Sequence, residues 1–145
     1  MDSFGESLLS ATNALRAKHG SQPLKWSAEA ASKAEELVKE IASTGKLKHA
    51  NHKGMGQNLA YSMGKEFTGK DAANMWYKEI ENYNFKKPGF KPNTGHFTQL
   101  VWAETTEMGS AVVVKGKETY VVANYIPPGN VTNEGQFERN VKKAK

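Results

Sequence analysis

Glu79 is a carboxylate set inside an apolar stripe, three residues after Trp76 and four before Tyr83. On a helix that spacing turns it toward the core, where an unpaired charge is expensive. At a stripe's edge it would instead reach water or a nearby lysine. His96 follows Gly95 at the head of a run rich in Phe, Thr, Val and Trp. There it either packs or bonds to a carbonyl at the end of an element. His49 and His52, three residues apart in a polar stretch, fall on one side of a helical turn. Two imidazoles and a carboxylate would make a zinc set, with ligand distances of about 2.0–2.2 Å. Each residue taken alone has an ordinary structural role. Metal chemistry requires the loop histidines to meet His96 and Glu79 in space, and chain spacing does not decide that.

Other chemistries are poorly supported. The chain has no cysteine, which excludes a disulfide framework, a zinc-thiolate site and a cysteine nucleophile. No GxSxG elbow, P-loop, HExxH or dinucleotide fingerprint is present. The formal charge is +5, which permits attraction to anionic lipid, phosphate or nucleic acid without choosing among them. Basic residues interleave with acids and the aromatics fall on core faces, so no nucleic-acid partner is expected. The start, Met1-Asp2-Ser3-Phe4-Gly5-Glu6, has no basic region leading into an apolar run. An intracellular protein without a transmembrane segment is expected, or a secreted one if a leader has been removed.

The elements that must position these residues follow from periodicity. The 145 residues suffice for one domain. Phe4, Leu8, Ala11 and Leu15 predict a helix over 3–18, stopped by Gly20 and Pro23. Ser27 caps a second, with Ala31, Ala34, Val38 and Ile41 as its stripe and Gly45 as its stop. Residues 45–58 read as loop, and 58–63 as a short turn of helix. Thr68 and Asp71 have capping-box spacing, opening a helix that runs to about Tyr83. Residues 84–95 are loop. Segments 96–102, 109–114 and 119–126 read as strands, the last two joined by a hairpin at Lys115-Gly116-Lys117-Glu118. The tail 139–145 is basic and expected to be mobile. The fold class is α+β.

Three ordered motifs resemble one family. Asn13-Ala14-Leu15-Arg16-Ala17-Lys18-His19-Gly20 with Pro23-Leu24-Lys25-Trp26 is similar to the N-terminal signature of the CAP superfamily: cysteine-rich secretory proteins, antigen 5 and pathogenesis-related 1. Gly95-His96-Phe97-Thr98-Gln99-Leu100-Val101-Trp102 resembles its first signature, and Val121-Val122-Ala123-Asn124-Tyr125-Ile126-Pro127-Pro128-Gly129-Asn130 its second. Ala123 stands where secreted members carry cysteine. Trp76–Phe85 and 133–138 look most like the cysteine-free, Golgi-associated subgroup. The resemblance implies a three-layer α-β-α sandwich around a central antiparallel sheet. It also implies one domain over 1–138, followed by the tail.

The resemblance further implies a central cavity lined by two histidines and two acids. Matched by motif, these are His96, Glu79 in Trp-Tyr-x-Glu, His49 in Leu47-Lys48-His49 (in preference to His52), and Gln57 in place of the second acid. Gln57 cannot act as a base or supply negative charge. Zinc or another divalent cation is therefore expected to bind His49 and His96 weakly. The family also implies binding of anionic lipid membranes or sterol, and a homodimer. Arg139, Lys142, Lys143 and Lys145 are the tail cations suited to an anionic surface. Asp2 replaces the glycine that is myristoylated in the Golgi-associated relative. The expected function is a non-enzymatic binding protein at the cytosolic face of Golgi-type membranes. The alternatives are a metal-dependent protease or esterase with Glu79 as base, or a scaffold with a vestigial cavity.

Overall fold

The computed structural model describes residues 1–64 and 66–145. Helix α1 (Ser3–Lys18) begins at Asp2, whose Oδ1 accepts a hydrogen bond from the Gly5 N–H at 2.7 Å. Helix α2 (Ala28–Thr44) begins at Ser27, whose Oγ accepts from the Ala30 N–H at 3.1 Å, and it ends on left-handed Gly45 at φ 74°. Both match the periodicity. Thr68 and Asp71 form the expected capping box at the start of α3 (Gly69–Tyr77). The helix then tightens to a 3-10 segment over Lys78–Asn82.

Four strands make one sheet in the order β1-β3-β4-β2: β1 (Lys25–Trp26), β2 (Gly56–Met63), β3 (Glu107–Lys115) and β4 (Glu118–Ile126). β2, β4 and β3 are antiparallel, and β1 adds in parallel at one end of β3. Helix α2 covers one face, with Val38 and Ile41 against Leu59, Tyr120 and Val122. On the other face α1, α3 and α4 (Gly95–Val101) bury Leu8, Trp76 and Leu100 with Val121, Ala123 and Tyr125. The expected three-layer arrangement is present. Two glycines set its close approaches: a Cβ on Gly109 would lie 2.2 Å from Ala31 N, and one on Gly69 would lie 2.3 Å from Leu8 N.

Two segments differ from expectation. Residues 58–63 are strand, not a turn of helix. β2 pairs with β4 from Gly56↔Tyr125 to Met63↔Glu118, so the apolar β4 imposes the conformation from outside. Residues 96–102 are helix α4 plus its cap, not strand. Phe97, Thr98, Gln99, Leu100 and Val101 are all buried, and a short run buried on every side carries no readable period. His96, Thr98, Leu100 and Trp102 therefore do not share a strand face. The tail is also more tied down than its composition implies. Helix α5 (Gln136–Asn140) spans the expected boundary at 138, and Val141 is buried. His19 Nδ1 donates to the Lys142 carbonyl at 2.6 Å, and the Lys145 N–H donates to the Lys18 carbonyl at 2.8 Å.

Candidate functional site

Helix α4 lacks a capping side chain of its own, because Thr94 makes no such bond. Glu79, from the 3-10 segment, supplies it. Its Oε1 accepts from the backbone N–H groups of His96 and Phe97 at 2.9 and 3.1 Å. These are two of the unpaired donors that open any helix. Its Oε2 accepts from His96 Nδ1 at 2.7 Å. The Trp76 indole stacks on the same imidazole, centroids 6.3 Å apart and planes 11° apart. With Nδ1 donating to the carboxylate, the lone pair of His96 lies on Nε2.

A second network holds His49. Gln57 Oε1 accepts from the Ala50 N–H at 3.0 Å and from His49 Nδ1 at 3.2 Å. The backbone donor fixes which end of the amide is oxygen. Gln57 Nε2 donates to Asn124 Oδ1 at 2.8 Å, and Asn124 Nδ2 donates to the Ala30 carbonyl at 3.1 Å. His52 Nδ1 accepts from both amide nitrogens at 3.3 Å. His49 is thus also oriented with its Nε2 lone pair free of Gln57.

Gln57 and Asn58 are neighbours on β2, so they point to opposite faces of the sheet. Gln57 lies on the α2 side with Asn124. Asn58 lies on the α4 side, where its Nδ2 donates to the His96 carbonyl at 3.1 Å and to the Tyr125 hydroxyl at 3.3 Å. Burial pushes the Tyr125 hydroxyl pKa up, so it remains a neutral phenol. A cavity of about 220 Å³ opens where the two faces meet, lined by His49, Gln57, Asn58, Phe90, Pro92, Gly95, His96 and Asn130. His49 and His96 therefore share one space. Glu79 stands behind His96 rather than in the lining, with both oxygens already engaged.

The donors this cavity could offer a cation are the two Nε2 atoms. Among the described residues, no three His, Cys, Asp or Glu side chains are grouped to hold a metal ion. Arg139, Lys142, Lys143 and Lys145 lie apart from the cavity lining, exposed at the C-terminal end. Residue types alone did not single out Asn58, Asn124 or the stacked Trp76. The signal for Asn124 was a polar side chain inside the apolar run 121–126; its meaning required the pairing of Gln57 with Asn124 across β2 and β4.

The model of the CAP, cysteine-rich secretory protein, family matches residues 9–125. The human Golgi-associated plant pathogenesis-related protein 1 is 44% identical over 142 residues, covering 95% of this chain and 92% of the relative. Tobacco pathogenesis-related protein 1B is 35% identical, covering 89% of this chain and 78% of the relative. Among solved structures, Schistosoma mansoni venom allergen-like protein 4 superposes with a TM-score of 0.75 at 25% identity, covering 100% of this chain and 97% of that one. The structure of NaASP2 with Zn2+ superposes with a TM-score of 0.77 at 21% identity, covering 100% of this chain and 87% of that one. Family model, relatives and fold agree: the chain belongs to the CAP family of cysteine-rich secretory proteins.

Proposed function

We propose that this chain is a binding protein rather than an enzyme, with a cavity that takes a divalent cation weakly and a basic end that meets anionic lipid or sterol-containing membranes. The observation that carries the cation reading is the shared orientation of His49 and His96, each with Nδ1 bonded to an oxygen and each lining the same cavity. Such outer bonds fix a metal-binding tautomer. Two neutral donors without a carboxylate make a weak site, because Gln57 adds no charge. The solved structure of NaASP2 carries Zn2+ in a protein of the same fold. The hydrolytic alternative needs Glu79 free to accept a proton from water, yet three N–H groups already occupy its oxygens. The membrane reading rests on Arg139, Lys142, Lys143 and Lys145, all exposed, at about 1 kcal/mol per cation near an anionic surface. No described helix is long and apolar enough to cross a membrane, so association would be peripheral. The human relative's name places that protein at the Golgi, and the cytosolic face of such membranes is the proposed site here.

Zinc titration by calorimetry tests the cavity. Binding lost in both His49→Ala and His96→Ala supports it, and zinc affinity unchanged in either variant overturns it. Co-sedimentation with phosphatidylserine vesicles tests the membrane. Preference for anionic over neutral vesicles at low salt, lost when the four tail cations become glutamine, is the expected result. Equal binding to both vesicle types would rule it out.

A further inference from the structure

Residues 46–53, the segment that carries His49, hang from the sheet by two side chains. None of these residues is buried, and the segment contains no helix or strand. A left-handed glycine stands at each end, Gly45 at φ 74° and Gly54 at φ 76°, with open space around both. A gap of about 240 Å³ separates the segment from α2, lined by Leu37, Glu40, Ile41 and Thr44 on the helix and by Lys46 and Lys48. Ala50 alone of the segment packs on the apolar cluster between α2 and the sheet. Among the described residues, every hydrogen bond from the segment to the sheet ends on Gln57 or Asn124. The Ala50 N–H and His49 Nδ1 donate to Gln57 Oε1 at 3.0 and 3.2 Å. His52 Nδ1 accepts from Gln57 Nε2 and Asn124 Nδ2, both at 3.3 Å.

The two histidines hold this latch with opposite proton requirements. His49 donates through Nδ1, and does so whether its Nε2 is bare or protonated. His52 accepts through Nδ1, which must be bare. A proton there would aim a third N–H at two NH2 groups. Neither amide can turn round to offer its oxygen without loss. Gln57 would give up the Ala50 N–H and His49, and Asn124 would give up its bond to the Ala30 carbonyl at 3.1 Å. No carboxylate lies within 4.0 Å of His52 among the described residues to hold the charge. The strands offer it only the neutral Gln57 and Asn124 as partners. The charged groups nearby in the chain are Lys46, Lys48 and Lys53 on its own segment, and Glu29 and Lys33 beside Ala30 on α2, all exposed.

We propose that residues 46–53 form a hinged lid and that His52 is its proton-sensitive positioning residue. With Nδ1 bare, His52 helps to hold His49 in the cavity wall. With Nδ1 protonated, it releases the segment to swing out on Gly45 and Gly54. A proton binds the open form better than the closed one, so opening rises as pH falls. His96 does not share this sensitivity, because its Nδ1 donates to Glu79 in either protonation state. The consequence for ligand binding rests on the cavity reading proposed above, whereas the lid itself stands on the segment's own bonds.

Amide hydrogen exchange of the metal-free chain reads the lid at Ala50, whose N–H is held by Gln57 Oε1. Its protection, corrected for the intrinsic pH dependence of exchange, should fall about tenfold between about pH 7.5 and 5. Val121 and Val122 in β4 should keep theirs. His52→Asn puts a non-titrating oxygen in place of Nδ1 and should keep Ala50 protected across the whole range. His52→Ala removes the acceptor and should leave Ala50 weakly protected at both ends. Wild-type protection that stays flat overturns the proposal. A fall that His52→Asn reproduces, a parallel loss at Val121 and Val122, or full protection in His52→Ala at about pH 7.5 does the same. No zinc is added, so a failed lid leaves the cation reading standing, and a cavity without zinc affinity leaves the lid standing.

Discussion

Glu79 caps a helix to which it does not belong, and the residue it meets there is His96. One oxygen takes the backbone N–H groups of His96 and Phe97, and the other takes the imidazole at 2.7 Å. A single carboxylate thus sets both the start of α4 and the orientation of its histidine. Glu79→Ala should lower stability by about 1–2 kcal/mol in urea denaturation, as loss of a helix cap does. The same variant should weaken zinc binding about 10–100-fold. Glu79→Gln keeps an oxygen for the two N–H groups and should lose less stability. Equal unfolding midpoints for the two variants would show that capping is not the carboxylate's contribution.

Gln57 holds the His49 segment by neutral hydrogen bonds. Its Nε2 donates to Asn124 Oδ1 at 2.8 Å, a bond that a carboxylate cannot make. Gln57→Glu should therefore destabilise the metal-free protein by about 1–3 kcal/mol, because Asn124 is fully buried and loses its donor. Zinc should bind the same variant more tightly than wild type, since a negative charge joins two imidazoles. Thermal shifts with and without zinc would read both effects together. A variant that gains no metal affinity would remove the cation from the account of Gln57.

The sequence revealed the residues of the site more readily than the backbone that carries them. Ser27, Gly45 and the Thr68–Asp71 box mark helix ends correctly because capping is local chemistry, whereas the Asp2 cap of α1 emerges only in the structure. The segments 58–63 and 96–102 were misread because their conformations are imposed from a distance. β4 makes β2 a strand. Glu79 satisfies the first donors of α4, and Arg16 satisfies carbonyls at its far end. Neither influence shows in a local period. Glu79 and His96 emerged as a pair only by family motif, and Asn58 and Asn124 only by strand register.

Arg16 is the counterpart of Glu79 at the other end of α4. Its guanidinium is fully buried and donates to the carbonyls of Gln22, Leu100, Trp102 and Thr105 at 2.8–3.0 Å. No carboxylate lies in ion-pair range among the described residues. Positive charge at a helix C-terminus is favourable, and here it offsets part of the cost of burial. Arg16→Met leaves four carbonyls without that donor and should cost about 3–5 kcal/mol in urea denaturation. Arg16→Lys keeps the charge but not the fork, and should recover only part of the loss. A loss below about 1 kcal/mol for the Met variant would mean that the carbonyls find other donors.

Alkaline pH should expose a second consequence of burial. Tyr77, Tyr83 and Tyr125 are all pushed above the ordinary phenol value of 10.0 by desolvation, Tyr125 furthest. Tyr120 is pushed up to about 12, chiefly by its hydrogen bond to Glu118. Above about pH 10 the fold retains protons that the unfolded chain releases. This stability is complete below the unfolded value and is lost as pH rises through the folded ones. Arg16 acts in the opposite sense. Burial lowers its pKa from 12.5 to about 10, so in that window the unfolded chain binds the extra proton and stability rises with pH. Four tyrosines oppose one arginine, and the net expectation is a falling melting temperature from about pH 10 upward. Tyr125→Phe removes the group shifted furthest and should flatten that fall. Melting curves for wild type and variant that decline in parallel between about pH 9 and 11 would remove Tyr125 from the account.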